Sequence, residues 1–215
     1  VAGGRLAFDA VVDASAAGTA WRLDADLTGA RLRALLEGAG AAPRADGTTA
    51  ATLRLGGGAG GLRSLAGSAA FTIRDGWIEG IDLLQMLRAA RAAAGRRGEG
   101  EIAKPDGRTP FRLLSASARI HGGVARSDDV RLEADEARAS GSCVLDLLAA
   151  TIDCLLRATT PHVPDTVLPV TVTGPLSSPR YGVAVGRLLR EEAEEELRRR
   201  LRRGLERWLR RPPGG

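Results

Sequence analysis

Hydrophobic and polar residues alternate along most of this chain, in short runs set apart by glycine. Leu6, Phe8, Ala10 and Val12 alternate with Asp9 and Asp13, and Trp21, Leu23, Ala25 and Leu27 with Arg22, Asp24 and Asp26. After an Asp46-Gly47 turn, Ala51, Leu53 and Leu55 continue the pattern, and Ala69, Phe71 and Ile73 oppose Ala70, Thr72 and Arg74. A period of two is the signature of a strand with one wet face. Asp75-Gly76 predicts a tight hairpin turn, because glycine accepts positive φ and aspartate bonds its own backbone. Trp77 to Glu79 is then a short return strand.

Alternation resumes at Phe111, runs to Ile120 and turns at His121-Gly122-Gly123. Val130, Leu132 and Ala134 face inward, with Arg131, Glu133 and Asp135 outward. Ser142 to Leu147 and Ile152 to Ala158 predict two more strands, joined at Leu148 to Thr151. The two prolines between Thr159 and Pro164 predict a bend, and Val167 to Thr173 a strand whose Pro169 calls for an edge or an outward N–H. Gly174-Pro175 reads as a turn and Tyr181 to Val185 as a last short strand. Tight turns without long crossovers specify an antiparallel meander rather than a parallel α/β sheet.

Three helical patterns interrupt the strands. Gly80 is followed by a complete start signal: Asp82 as N-cap, Gln85 at the capping-box position, and Ile81 with Met86 as a hydrophobic staple. Leu83, Leu87, Ala90 and Ala94 share one face before Gly95, which predicts a helix near 82–94. The same strand, glycine and helix module occurs 51 residues earlier, where Leu27-Thr28-Gly29-Ala30 corresponds to Ile78-Glu79-Gly80-Ile81, giving a helix near 30–38. From Arg187, the residues Leu189, Ala193, Leu197, Leu201, Leu205 and Trp208 form one stripe, and Glu194, Glu195 and Glu196 each precede an arginine by four positions. That predicts a long amphipathic helix over 187–211, ended by Pro212-Pro213. Gly95 to Arg108 is irregular, and Gly56 to Gly61 (GGGAGG) reads as a flexible loop. The latter contains G-x-G-x-x-G, but too few residues follow for the crossover helix of a dinucleotide site.

Composition sharpens this picture. Only seven of the 215 residues are aromatic, which favours sheets with shallow aliphatic faces over an aromatic-packed enzyme core. The net charge of +5 raises nucleic acid or anionic membrane as a partner. Its distribution argues against nucleic acid, because residues 187–211 alone carry ten Arg against six Glu. No stretch reaches the roughly 18 apolar residues that span a bilayer, and no signal peptide begins the chain.

Candidate chemistry is sparse. His121 lies in a glycine turn and His162 between two prolines, without zinc-site spacing, so no metal or cofactor is expected. Cys143 and Cys154 fall on the aliphatic phase of their strands, where either inert burial or a disulfide is expected. If the chain turns between Leu148 and Ala149, the two lie directly opposite, at a spacing that local twist could close into a disulfide; two packed thiols are the alternative. The acidic residues Asp128, Asp129, Asp135 and Glu136 occupy turns and a wet face. The sequence therefore predicts a non-enzymatic domain.

A set of glycine and aliphatic signatures resembles the C-terminal region of the AsmA family. It runs from Leu65-Ala66-Gly67 through Asp75-Gly76 to Gly80-Ile81-Asp82-Leu83. Thr109-Pro110-Phe111, Ile120-His121-Gly122-Gly123-Val124, the Gly141–Leu147 strand and Leu168-Pro169-Val170-Thr171-Val172-Thr173-Gly174-Pro175 follow in the expected order. The resemblance covers roughly Gly18 to Gly186 and implies a curved antiparallel β-groove over residues 1–186. It further implies a periplasmic protein of outer-membrane biogenesis, held at the inner membrane by a segment upstream of Val1.

The expected partner is phospholipid or another envelope lipid, lying on the inward phase of the strands. Leu23, Leu27, Leu53, Phe71, Ile73, Leu132, Leu145, Ile152, Leu156 and Val170 are the candidate groove residues. A second reading makes the domain a protein-binding scaffold in envelope assembly, acting through residues 187–211, whose arginine flank also suits a membrane surface. A third makes it a hydrolase using Cys143 or Cys154 with a histidine.

Overall fold

Each alternating run pairs with the run that follows it in sequence. The structure, a computed structural model, describes residues 3–15, 18–40, 44–80, 82, 85, 107–160 and 163–183. Among them ten strands form a single sheet: β1 (Arg5–Ser15), β2 (Gly18–Arg31), β3 (Ala45–Gly58), β4 (Ala66–Glu79), β5 (Arg108–His121), β6 (Val124–Glu133), β7 (Arg138–Asp146), β8 (Thr151–Thr160), β9 (Val163–Pro175) and β10 (Arg180–Val183). Their spatial order is their chain order, and every pairing is antiparallel. The protein is thus mainly β, one open and curved sheet. A short helix, α1 (Leu32–Gly38), joins β2 to β3, and a 3-10 turn (Gly61–Ser64) joins β3 to β4.

The curvature brings strands together that are far apart in the ladder. Tyr181 of β10 approaches the end of β4, where a Cβ added to Gly80 would lie 3.9 Å from the tyrosine ring. Between these elements sits an apolar core of Ile73, Phe111, Leu132, Ala134, Ala137, Ala139, Ala158, Leu168 and Val170, with Leu32 of α1 and Tyr181 packed on it. A second cluster, Leu65, Ile120 and Ala125, lies toward the opposite strand ends, covered by Trp21, Leu55, Leu145 and Leu147. Four of the nine buried residues of the first cluster are alanine, so it packs with few bulky anchors.

Several local expectations need correction. Asp75-Gly76 is no hairpin turn, and Trp77 to Glu79 is no return strand, because β4 runs unbroken to Glu79. Its ladder with β5 keeps one register past this point, while β4 places Asp75 and Gly76 opposite the single residue Gly47 of β3. Asp75 absorbs that extra residue at φ 50°, making a β-bulge where a turn was expected. Gly56 to Gly58 belong to β3 and are no loop. A Cβ on Gly57 would come 2.8 Å from Trp21 Cζ2, so the glycine leaves room for the indole. Pro169 lies within β9 and pairs with Arg157 of β8, just past the last described pair with β10. Likewise β9 continues through Gly174-Pro175, and the turn comes at Leu176.

The helix expected near 30–38 is α1. Of the helix expected near 82–94, only Asp82 and Gln85 are described; the Gln85 N–H donates to Asp82 Oδ1 at 2.8 Å, the bond of an N-cap. The helix expected over 187–211, most of 95–108 and His162 lie outside the described residues. Among the described residues no helix is long and apolar enough to cross a membrane.

Candidate functional site

Directly paired residues of an antiparallel ladder share a face, so the registers trace rows of side chains across the sheet. One row reads Leu6, Leu27, Ala51, Phe71 and Ala116 from β1 to β5. The next reads Phe8, Ala25, Leu53, Ala69 and Ala118. A third crosses eight strands as Ala10, Leu23, Leu55, Gly67, Ile120, Ala125, Leu145 and Ile152. Ile73, Leu114, Leu132, Ala139, Ala158 and Leu168 make a fourth, from β4 to β9. Shorter rows are Val130, Gly141, Leu156 and Val170, and Cys143, Cys154, Val172 and Tyr181. These rows form one apolar face reaching from β1 to β10.

The opposite face is charged. Arg54 of β3 bridges Asp24 and Asp26 of β2 at 3.3 and 3.1 Å there, all three half-exposed.

All ten candidate groove residues stand in the apolar rows. Phe71, Leu132, Leu145, Ile152, Leu156 and Val170 line a concavity of about 470 Å³, within the roughly 300–1,000 Å³ of ligand sites. Leu23, Leu27 and Leu53 continue the face beyond it on β2 and β3. Ile73 is spent on the core. The lining also includes Val130, on the inward phase read from sequence, together with Leu147 and Tyr181; it further includes Leu114 and Ile120, which alternation from Phe111 does not reveal. Both Phe111 and Ile120 are buried, so the inward phase changes between them, at the adjacent leucines Leu113 and Leu114.

Polar groups in this lining are few: Thr109, Ser117, Ser127 and Tyr181. The Ser117 Oγ donates to Asp129 Oδ2 at 2.6 Å and the Ser127 Oγ to Asp129 Oδ1 at 3.0 Å. With the Ser117 N–H added, these bonds hold the Asp129 carboxyl below its ordinary value, the Ser117 hydroxyl first among them. Burial raises the Tyr181 phenol, against the smaller opposing pull of the Arg44 guanidinium.

Cys143 and Cys154 line the same concavity and are joined by a disulfide. Neither offers a thiol, so a cysteine hydrolase has no nucleophile here. His121 sits at the exposed end of β5. Among the described residues no three His, Cys, Asp or Glu side chains cluster to hold a metal ion. What the arrangement supplies is an apolar surface with almost no directional chemistry.

A family model described as the AsmA family matches residues 1–130, which takes in β1 to β5 and most of β6. No curated protein and no solved structure matches the chain.

Proposed function

The chain belongs to the AsmA family, and from that premise we propose that it is a non-enzymatic envelope domain holding phospholipid, or another envelope lipid, along the apolar face of its curved sheet. Outer-membrane biogenesis is the process this serves in our reading. The observation that carries it is the continuity of the face, aliphatic in row after row from β1 to β10, with its serine hydroxyls turned to Asp129. Acyl chains need area rather than partners, at about 0.8 kcal/mol for each CH₂ removed from water. The periplasm, with an inner-membrane anchor outside this sequence, is the compartment we propose. A disulfide between Cys143 and Cys154 supports an oxidising compartment.

Lipid extraction and mass spectrometry of the purified protein test this reading. Leu145 and Ile152 pair directly and are only partly buried, so Leu145→Asp or Ile152→Asp places a charge in the trough without emptying the core. Either variant is expected to stay folded by circular dichroism and to lose its lipid. Leu132→Asp serves as the contrast, because Leu132 is a core residue and charge there unfolds the sheet. A wild-type protein free of lipid, or full lipid retention by both trough variants, overturns the proposal.

A further inference from the structure

One rim of the sheet is tipped with leucine. Leu62 in the β3–β4 connection, Leu148 in the β7–β8 turn and Leu176 in the β9–β10 turn are 48%, 44% and 42% exposed. They are not scattered, because backbone hydrogen bonds tie the successive connections together. The Gly123 N–H in the β5–β6 turn donates to Leu65 O at 3.3 Å, and the Leu147 N–H to Gly123 O at 2.9 Å. The Leu176 N–H donates to Ala150 O at 2.9 Å. A Cβ built on Gly123 would lie 2.8 Å from Leu62 O and 3.2 Å from Leu148 Cγ, so the first two leucines flank one glycine.

The charged residues that flank the leucines of the β3–β4 and β9–β10 connections are arginines. Arg63 follows Leu62 directly, and Arg180 lies four residues after Leu176 at the start of β10, both exposed. Asp146, the acidic residue among these connections, has its carboxylate engaged by the Leu148 and Ala149 N–H groups, both at 2.9 Å. The opposite rim mixes both signs, with exposed Glu37, Glu79, Asp135 and Glu136 beside exposed Arg33, Arg44, Arg108 and Arg138, and with Arg33 paired to Glu37 and Arg112 to Asp135. Leucines exposed on hydrogen-bonded turns and flanked by arginine match an anionic bilayer: apolar tips enter the acyl boundary while guanidinium groups meet phosphate.

We propose that the rim formed by Leu62, Leu148 and Leu176, with Arg63 and Arg180, seats the domain on the surface of an anionic phospholipid membrane. This does not rest on the groove holding lipid, since a domain with an empty trough sits on a bilayer by the same rim.

The test uses the full chain and vesicles of phosphatidylethanolamine with phosphatidylglycerol. Because Cys143 and Cys154 are bonded, Leu148→Cys offers a single thiol for an environment-sensitive dye, and Asp135→Cys places the same dye on the opposite rim. Vesicles are expected to shift the emission of the first to the blue and to leave the second unchanged, which locates the contact even if residues 187–211 also bind lipid. The triple variant Leu62→Ser, Leu148→Ser, Leu176→Ser is expected to weaken vesicle binding by about tenfold or more. An equal response from both dyes, no response at position 148, or an affinity of the triple variant within about twofold of the parent overturns the proposal.

Discussion

Cys143 and Cys154 face one another directly across β7 and β8, 4.1 Å apart at Cα and joined through sulfur, in the lining of the concavity. Their sequence separation of 11 closes a short loop, for which chain entropy gives about 2–3 kcal/mol. Replacing both by alanine is expected to lower the unfolding free energy by about that amount. Urea titration of parent and variant checks it. Thiol counts on the unfolded chain, with and without reductant, must differ by two if the bond forms in solution.

Gly67 makes a sharper prediction. It takes φ 143°, and a Cβ there would lie within 1.9 Å of Arg54 O on the neighbouring strand β3. Backbone, unlike a flexible side-chain end, has no room to retreat. Gly67→Ala is expected to cost more than about 3 kcal/mol by forcing β3 and β4 apart. Gly38→Ala, at a position with open space around it, is the control and should change little. Thermal melts of the two variants decide the matter.

Asp46 sets the acid limb of stability around α1. Burial alone would raise its carboxyl, but hydrogen bonds from the Gly47 N–H, Arg31 and the Arg33 N–H outweigh it and hold the group below its ordinary value. A depressed folded value gives stability that is present above the unfolded carboxylate range and is lost as pH falls through the folded one. Asp46→Asn is therefore expected to cost about 2 kcal/mol at neutral pH, with the gap to the parent closing in acid. Denaturation midpoints measured down the acid limb check the sign.

Tyr181 is the chain's one tyrosine, so its ionisation reads out without overlap. Its phenol is raised by burial against the core, with Arg44 opposing more weakly. A raised folded value gives stability that is full below the unfolded phenol range and is lost as pH rises through the folded value. Absorbance titration should place the folded phenol above that of the denatured chain, and Tyr181→Phe should remove the associated alkaline slope.

Much of this fold was legible because a two-residue period reports directly on strands. The phases of Leu23, Leu53 and Leu145 needed only local sequence, and the glycine turn at His121-Gly122-Gly123 fixed the β5–β6 hairpin. Asp75-Gly76 misled because its local chemistry is that of a turn, while two flanking ladders, invisible in sequence, keep it inside β4 as a bulge. The change of phase between Phe111 and Ile120 was hidden for a related reason. Two consecutive leucines fit either face, and the phase changes where the paired strand β4 carries its bulge at Asp75. Tyr181 at the concavity was beyond reach, since its contact with the end of β4 spans five intervening strands.

The strictly sequential strand order bears on how the chain is made and unmade. Every ladder joins a strand to its immediate predecessor, so each hairpin can close as soon as its second strand leaves the ribosome, without waiting for distant partners. The widest gap to be bridged lies between Glu79 and Arg108, and the β4–β5 ladder is the one on which both the Ile73–Leu114 and Gly67–Ile120 pairs depend. Force applied along the chain from either end of the sheet would meet the ladders one at a time and peel them like a zip. Such a sheet is expected to yield gradually under tension, and β4 is the strand that waits longest for the one that pairs with it next.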